Sequence, residues 1–145
     1  MPGTLLLPSA TLSRGPGRIP HTRHGWCAAC DLYTPQPARG FIPCLQCGGS
    51  FAATLDSGNE RDRHAMLTQA QARGEITDLV VHPRYPLEVN GWDVGTFTPD
   101  FSYAERGRPI VEEVKSTYTV KDPYYQMRKR VFQACYEIHV VETIL

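Results

Sequence analysis

The stretch FTPDFSYAERGRPIVEEVKS, residues 97–116, decides how this chain is read. Two β-like runs flank Arg106-Gly107. The first carries Asp100; the second carries Glu112, Glu113 and Lys115. A two-residue hairpin turn at Arg106-Gly107 pairs Glu105 with Arg108 and, carried outward, sets Asp100 opposite Glu113. Opposed Cβ atoms in such a pair lie about 4.5–5.5 Å apart, where two carboxylates repel unless something offsets them. Strand alternation puts Glu113 and Lys115 on one face, with Glu112 and Val114 on the other.

A divalent cation is one such offset. Mg²⁺ takes one or two carboxylates together with waters and phosphate oxygens. On this reading Asp100 and Glu113 are metal ligands and the backbone carbonyl of Val114 completes the coordination. Lys115 then reaches an attacking water or a non-bridging phosphate oxygen. The competing reading makes Asp100 the end of a strand at a Pro-Asp turn, with Glu113 and Lys115 on a solvated face. The spacing alone leaves both open.

The chain has 145 residues, 41% of them hydrophobic, which suits one domain with a core and room for a small appendage. No apolar run approaches the roughly 18–20 residues that span a membrane. The N-terminus lacks a basic region and a long enough apolar run for a signal peptide. A cytosolic protein is the expectation. Formal net charge is zero, but residues 1–50 carry Arg14, Arg18, Arg23 and Arg39 against Asp31 alone. Near-neutrality argues against a protein that merely coats nucleic acid. It leaves room for an enzyme with a local basic patch and metal ions.

Residues 1–25, rich in Gly, Pro, Arg and His, read as a flexible basic leader, either a solvated tail or a DNA-contacting arm. Residues 26–50 hold Cys27-x-x-Cys30 and Cys44-x-x-Cys47, a four-thiolate pattern that matches tetrahedral zinc. Gly48-Gly49 suits a tight knuckle around the metal, and Asp31 to Phe41 suits a small hairpin with a Pro-rich tip. Two disulfides are the alternative, disfavoured in a cytosolic chain. Four cysteines leave no open position, so this zinc is structural, and its binding supplies folding energy to a small zinc-ribbon module. Cys135 stands apart and reads as a buried core thiol.

Residues 51–145 read as one α/β domain. LDSGNERDRHAMLTQAQAR is a helix opened by a capping box, Ser57 with Glu60, with Ala65, Met66, Leu67, Ala70 and Ala72 on its apolar side. ITDLVVHP is a strand, and YPLEVNGWDVGTFTPDFSYAE holds one or two more around an Asn90-Gly91 turn. IVEEVKSTYTV follows as another strand. A second helix opens at Asp122 as N-cap with Pro123 at its first position, and EIHVVETI closes the chain as a strand. His64, His82 and His139 show no ligand spacing and read as structural. Tyr118, Tyr124 and Tyr125 offer either base-stacking faces or packing surface.

Pro99-Asp100 followed by Glu113-Val114-Lys115 resembles the signature of the PD-(D/E)xK nuclease superfamily. LDSGNERDRHAML, GEITDLVVHPRYPL, TPDFSY, IVEEVKS, YYQMRKRVF and EIHVVE look like a phage and prophage family of endonuclease-like proteins within it. These stretches run in the family's order over residues 54–142; the cysteine module is a departure from its pattern. The resemblance implies a restriction-endonuclease-like mixed sheet flanked by helices and an Mg²⁺- or Mn²⁺-dependent deoxyribonuclease. Asp100 and Glu113 would hold the metal, and Lys115 would position water and stabilise the pentavalent phosphate. Glu60 would be a supporting acid while also closing the capping box. Gln126 is either a phosphate- or water-orienting group or an ordinary exposed helix residue. Arg128, Lys129 and Arg130 spread around the second helix, so one or two would meet DNA phosphates, or all are solvated. By analogy with related nucleases, a branched substrate such as a Holliday junction and a symmetric homodimer are expected. The rival expectation is a catalytically inactive nucleic-acid-binding or assembly protein of the same fold.

Overall fold

The structure, a computed structural model, describes residues 22–145. The leader read over residues 1–25 lies outside the described residues as far as residue 21. Its end is already folded, because the first strand begins at His24.

Three short strands come first: β1 (His24–Cys27), β2 (Leu32–Pro35) and β3 (Ala53–Leu55). They form an antiparallel sheet in the order β2-β1-β3. The hairpin expected between Asp31 and Phe41 is displaced. The chain turns at the first cysteine pair itself, with Asp31 in the left-handed region (φ 49°), and the Pro-rich segment follows β2. The module also reaches past residue 50, because β3 supplies its third strand. Gly25 in β1 has no substitute, since an added Cβ would lie 2.0 Å from the Phe51 ring.

Helix α1 (Gly58–Ala72) follows, then β4 (Thr77–Val81), the hairpin β5 (Tyr85–Val89) and β6 (Trp92–Phe97), then β7 (Phe101–Glu105) and β8 (Arg108–Lys115). A 3-10 turn (Thr119–Lys121), helix α2 (Pro123–Tyr136) and β9 (Val140–Ile144) complete the chain. The central sheet runs β4-β7-β8-β9, with β8 and β9 parallel and the other pairs antiparallel, so it is a mixed sheet. The β7–β8 register is the one the Arg106-Gly107 turn demands, from Glu105↔Arg108 out to Phe101↔Glu112. Both turn residues have positive φ, 50° and 74°, the backbone of a tight hairpin turn whose twist matches its strands. Asn90-Gly91 does the same for β5–β6, at 50° and 79°.

The two faces of β8 lead to two cores. Phe101 packs with Leu55, Leu67 and Ile76, joining β3 and α1 to the sheet. Val111 packs with Phe97, Tyr125, Phe132 and Val140, joining α2 and the β5–β6 hairpin. Helix α1 buries His64 and Leu67, whereas Met66, expected on the apolar side, is 56% exposed. Position 66 faces away because the Trp26 and Phe101 rings set the packing face on His64. Cys135 is also corrected: it is exposed at the end of α2, with Sγ donating to the Glu88 carbonyl at 3.3 Å.

Glu112 is fully buried in the α1-side layer. Its Oε1 accepts from Arg63 Nε (2.5 Å) and Thr143 Oγ1 (2.7 Å); its Oε2 accepts from Arg63 Nη2 (3.0 Å) and Tyr103 OH (2.7 Å). Burial alone pushes this carboxyl up, but the four donors prevail and hold it below the usual range. Removing one partner of such a pair leaves an uncompensated buried charge, which costs about 3–5 kcal/mol, whereas a well-packed apolar pair of similar volume is often neutral. Arg63→Ala should therefore lower unfolding free energy by about 3–5 kcal/mol in denaturant titration. The double variant Arg63→Met, Glu112→Leu should recover most of that loss.

Candidate functional site

Carried one residue past Phe101, the β7–β8 register sets Asp100 opposite Glu113. Asp100 anchors itself there, since its Oδ2 accepts the Val114 N–H at 2.7 Å. Glu113 is 4% exposed, and Lys115 Nζ lies 3.1 Å from its Oε2. The same ammonium sits 4.1 Å from the centroid of the Tyr125 ring, which fixes its position by cation–π attraction. Burial, with Glu113 and Glu60 nearby, pushes Asp100 up to about 8. Burial likewise raises Glu113, against the pull of Lys115. Asp100 and Glu113 thus share a half-buried corner in which burial disfavours the ionised form of both, Glu113 adds to that at Asp100, and Lys115 pulls the other way.

Glu60 joins the corner from the first turn of α1. The capping box holds: Ser57 Oγ accepts the Glu60 N–H at 3.2 Å. The return bond is shifted by one residue, with Glu60 Oε2 accepting the Asp56 N–H at 3.0 Å. His82, given no ligand role by its spacing in sequence, stands 3.3 Å from Glu60 Oε2 through Nε2. Its backbone N–H donates to the Asp100 carbonyl at 2.9 Å. Asp56, Glu60 and His82 offer donor atoms that lie within 4.8 Å of one another. The bond to Glu60 raises the imidazole, with Asp56 and Asp100 adding to the effect against burial.

A cleft of about 850 Å³ opens beside these groups. Glu60, Val114, Lys115 and Ser116 line one side. Thr22, His24 and Pro35, from the cysteine-bearing module, line the other. His24 Nε2 meets Arg61 Nη1 at 3.1 Å, so the module is latched to α1 at the cleft.

Helix α2 treats its polar residues differently from one another. Gln126 Nε2 donates to the Val120 carbonyl (2.5 Å) and, at 3.4 Å, to Glu142. Lys129 Nζ pairs with Glu142 Oε1 at 2.6 Å, and Tyr125 OH donates to the same oxygen at 3.1 Å. Glu142 is the parallel partner of Glu113 across β8–β9. Arg128 donates to the Thr96 carbonyl and lies over Tyr124. Both cations are committed internally, and among the described residues only Arg130 of the three is exposed without an ion pair. Tyr118 and Tyr124 are exposed while Tyr125 is buried. Tyr125, Glu142, His82 and Asp56 are the neighbours that sequence reasoning missed. They come from α2, β9 and two loops, and no short-range pattern links them to Asp100 or Glu113.

The four cysteines Cys27, Cys30, Cys44 and Cys47 meet at one point, with all four sulfurs within 4.8 Å of one another. Cys27 and Cys44 are buried and Cys47 is exposed. The first pair sits at the β1–β2 turn, the second on the loop before β3. Gly48 (φ 69°) lets its N–H return to the Cys44 carbonyl at 2.8 Å, and the Gly49 N–H donates to Cys47 Sγ at 3.3 Å. Backbone N–H groups of Cys47 and Gln46 hold Cys44 down at about 6. Four convergent thiols with amides aimed at sulfur are compatible with a zinc module. No helix among the described residues is long and apolar enough to cross a membrane.

The capping of α1 can be separated from the Glu60 carboxylate by substitution. Ser57→Ala removes the cap and no carboxylate, so it should lower stability by about 1 kcal/mol in denaturant titration while leaving the acidic corner intact.

Comparison of the chain with protein-family models, curated proteins and solved structures finds no match.

Proposed function

We propose that this protein is a divalent-metal-dependent deoxyribonuclease of the PD-(D/E)xK type, with a restriction-endonuclease-like sheet. One observation carries the reading: Asp100, Glu113 and Lys115 meet at a half-buried corner, with Lys115 Nζ 3.1 Å from Glu113, beside a cleft that Glu60 also lines. A solvated acidic face would not bury Glu113 to 4% or stack the lysine on Tyr125. Asp100, Glu113 and the Val114 carbonyl hold Mg²⁺ or Mn²⁺. Such an ion, when bound, lowers the pKa of a coordinated water and offsets charge on a phosphodiester. Lys115 would orient an attacking water and donate to a phosphodiester oxygen as charge builds on it. Tyr125 and Glu113 hold Lys115 between them, so it arrives pre-positioned. The substrate is DNA, with branched forms such as four-way junctions included. A homodimer would present two such corners.

The cysteine module holds a structural zinc in this proposal and forms the far wall of the cleft through His24 and Pro35. Trp26 ties the two parts together: its ring lies 4.9 Å from His64 of α1. Zinc should therefore be found at one equivalent per chain. Chelation should shift Trp26 fluorescence as the module unfolds, and Cys44→Ser should reproduce the shift. A metal-free protein with unchanged fluorescence in both cases would remove zinc from the reading.

The activity test is cleavage of labelled duplex, single-stranded, flapped and four-way-junction DNA in Mg²⁺, Mn²⁺ or EDTA. Lys115→Ala and Asp100→Asn should each lower the cleavage rate by about 100-fold or more while DNA binding persists. Binding without cutting by the wild-type protein on every substrate would favour a non-catalytic nucleic-acid-binding role instead.

A further inference from the structure

We propose that Asp56, Glu60 and His82 form a separate divalent-cation site, suited to Mn²⁺ and similar transition ions rather than to Mg²⁺. It goes beyond the nuclease reading, because the cluster exists whether or not the Asp100 corner cuts DNA.

The geometry is that of a partial coordination sphere. His82 Nε2 lies 3.3 Å from Glu60 Oε2 and 3.8 Å from Asp56 Oδ2. Ligands about 2.1 Å from a six-coordinate ion stand about 3 Å apart when adjacent. Small rotations of two carboxylates close the remaining gap. The three residues come from different places: Asp56 precedes the cap of α1, Glu60 is in its first turn, and His82 follows β4. His82 is held in the left-handed region (φ 50°) while its N–H bonds to the Asp100 carbonyl. This backbone aims the ring at Glu60 rather than into either core.

Charge supplies an independent argument. Asp56, Glu60, Asp100 and Glu113 crowd this end of the cleft, and Lys115, the lysine placed among them, is paired to Glu113. Arg61, next in sequence to Glu60, turns away to Asp62 and His24. A protonated His82 offsets one carboxylate; a divalent ion offsets more and uses the same donors. The donor set also selects the ion. Imidazole suits transition metals, whereas Mg²⁺ keeps oxygen ligands. The exposed side of Asp56 leaves room for waters to fill the other positions.

The test uses the full-length, zinc-loaded protein titrated with Mn²⁺ and followed by electron paramagnetic resonance, with electron-spin-echo modulation to detect nitrogen bonded to manganese. The wild-type protein should show nitrogen-coupled Mn²⁺ that persists under a large excess of Mg²⁺. His82→Asn should abolish it; asparagine tolerates the left-handed backbone at this position, which protects the fold. Asp100→Asn should retain it. Manganese without nitrogen coupling in the wild type, coupling that survives His82→Asn, or coupling lost in Asp100→Asn would each overturn the proposal. Nitrogen coupling in a protein that cuts no DNA would leave this site standing and remove the nuclease reading. Cleavage without nitrogen coupling would do the reverse.

Discussion

A carboxylate with no exposed surface lies at the middle of the central sheet, and the surrounding architecture is organised by its need for donors. Glu112 takes two hydrogen bonds from Arg63 of α1, one from Tyr103 of β7 and one from Thr143 of β9. Those contacts tie one helix and two strands to β8 at fixed positions. An ionised group buried this deeply is tolerated only when every lone pair is used. Arg63 is three residues after Glu60 on the same helix, so the ion pair that anchors α1 also sets where Glu60 enters the site.

Strand parity then divides the labour along β8. Glu112 and Val114 face α1 and the core around Phe101, whereas Val111, Glu113 and Lys115 face α2. Adjacent acids therefore have opposite environments. Glu112 is surrounded by donors and held below the usual carboxylate range; Glu113 meets Asp100 and is raised above it. One is part of the frame; the other carries a raised carboxyl beside Asp100 and Lys115. A single slip in the β7–β8 register would exchange their faces and dismantle both.

The cysteine module is less an appendage than a wall. Its sheet is completed by β3, which leads into the cap of α1, and Trp26 and Tyr33 both pack on His64. Tyr33 OH and His64 Nδ1 lie 2.7 Å apart. His24 reaches Arg61 beside the cleft. A module too small to bury much apolar area thus draws order from two sources, convergent thiols on one side and the face of α1 on the other.

Much of this was legible in the residues themselves. The Arg106-Gly107 and Asn90-Gly91 turns, the Ser57 and Asp122 caps, the two CxxC pairs and the Asp100–Glu113 opposition are all short-range. Turn dihedrals, capping and strand parity act over a few residues, so local sequence determines them. An α/β domain with a sheet also follows from the order of elements. Hidden from the sequence were Met66 turning outward, Cys135 lying exposed, the cysteine hairpin turning at its own ligands, and the inward use of Gln126, Arg128 and Lys129. His82 and Asp56 beside Glu60, and Glu142 beside Glu113, were equally hidden. Each depends on which elements pack together and in what register, and that choice is made by burial of Phe101, Phe132 and Glu112 across long stretches of chain. Sequence alone determined the local geometry and the chemical groups available; the tertiary structure decided which groups meet, because contact between distant residues is settled by the packing of the whole core.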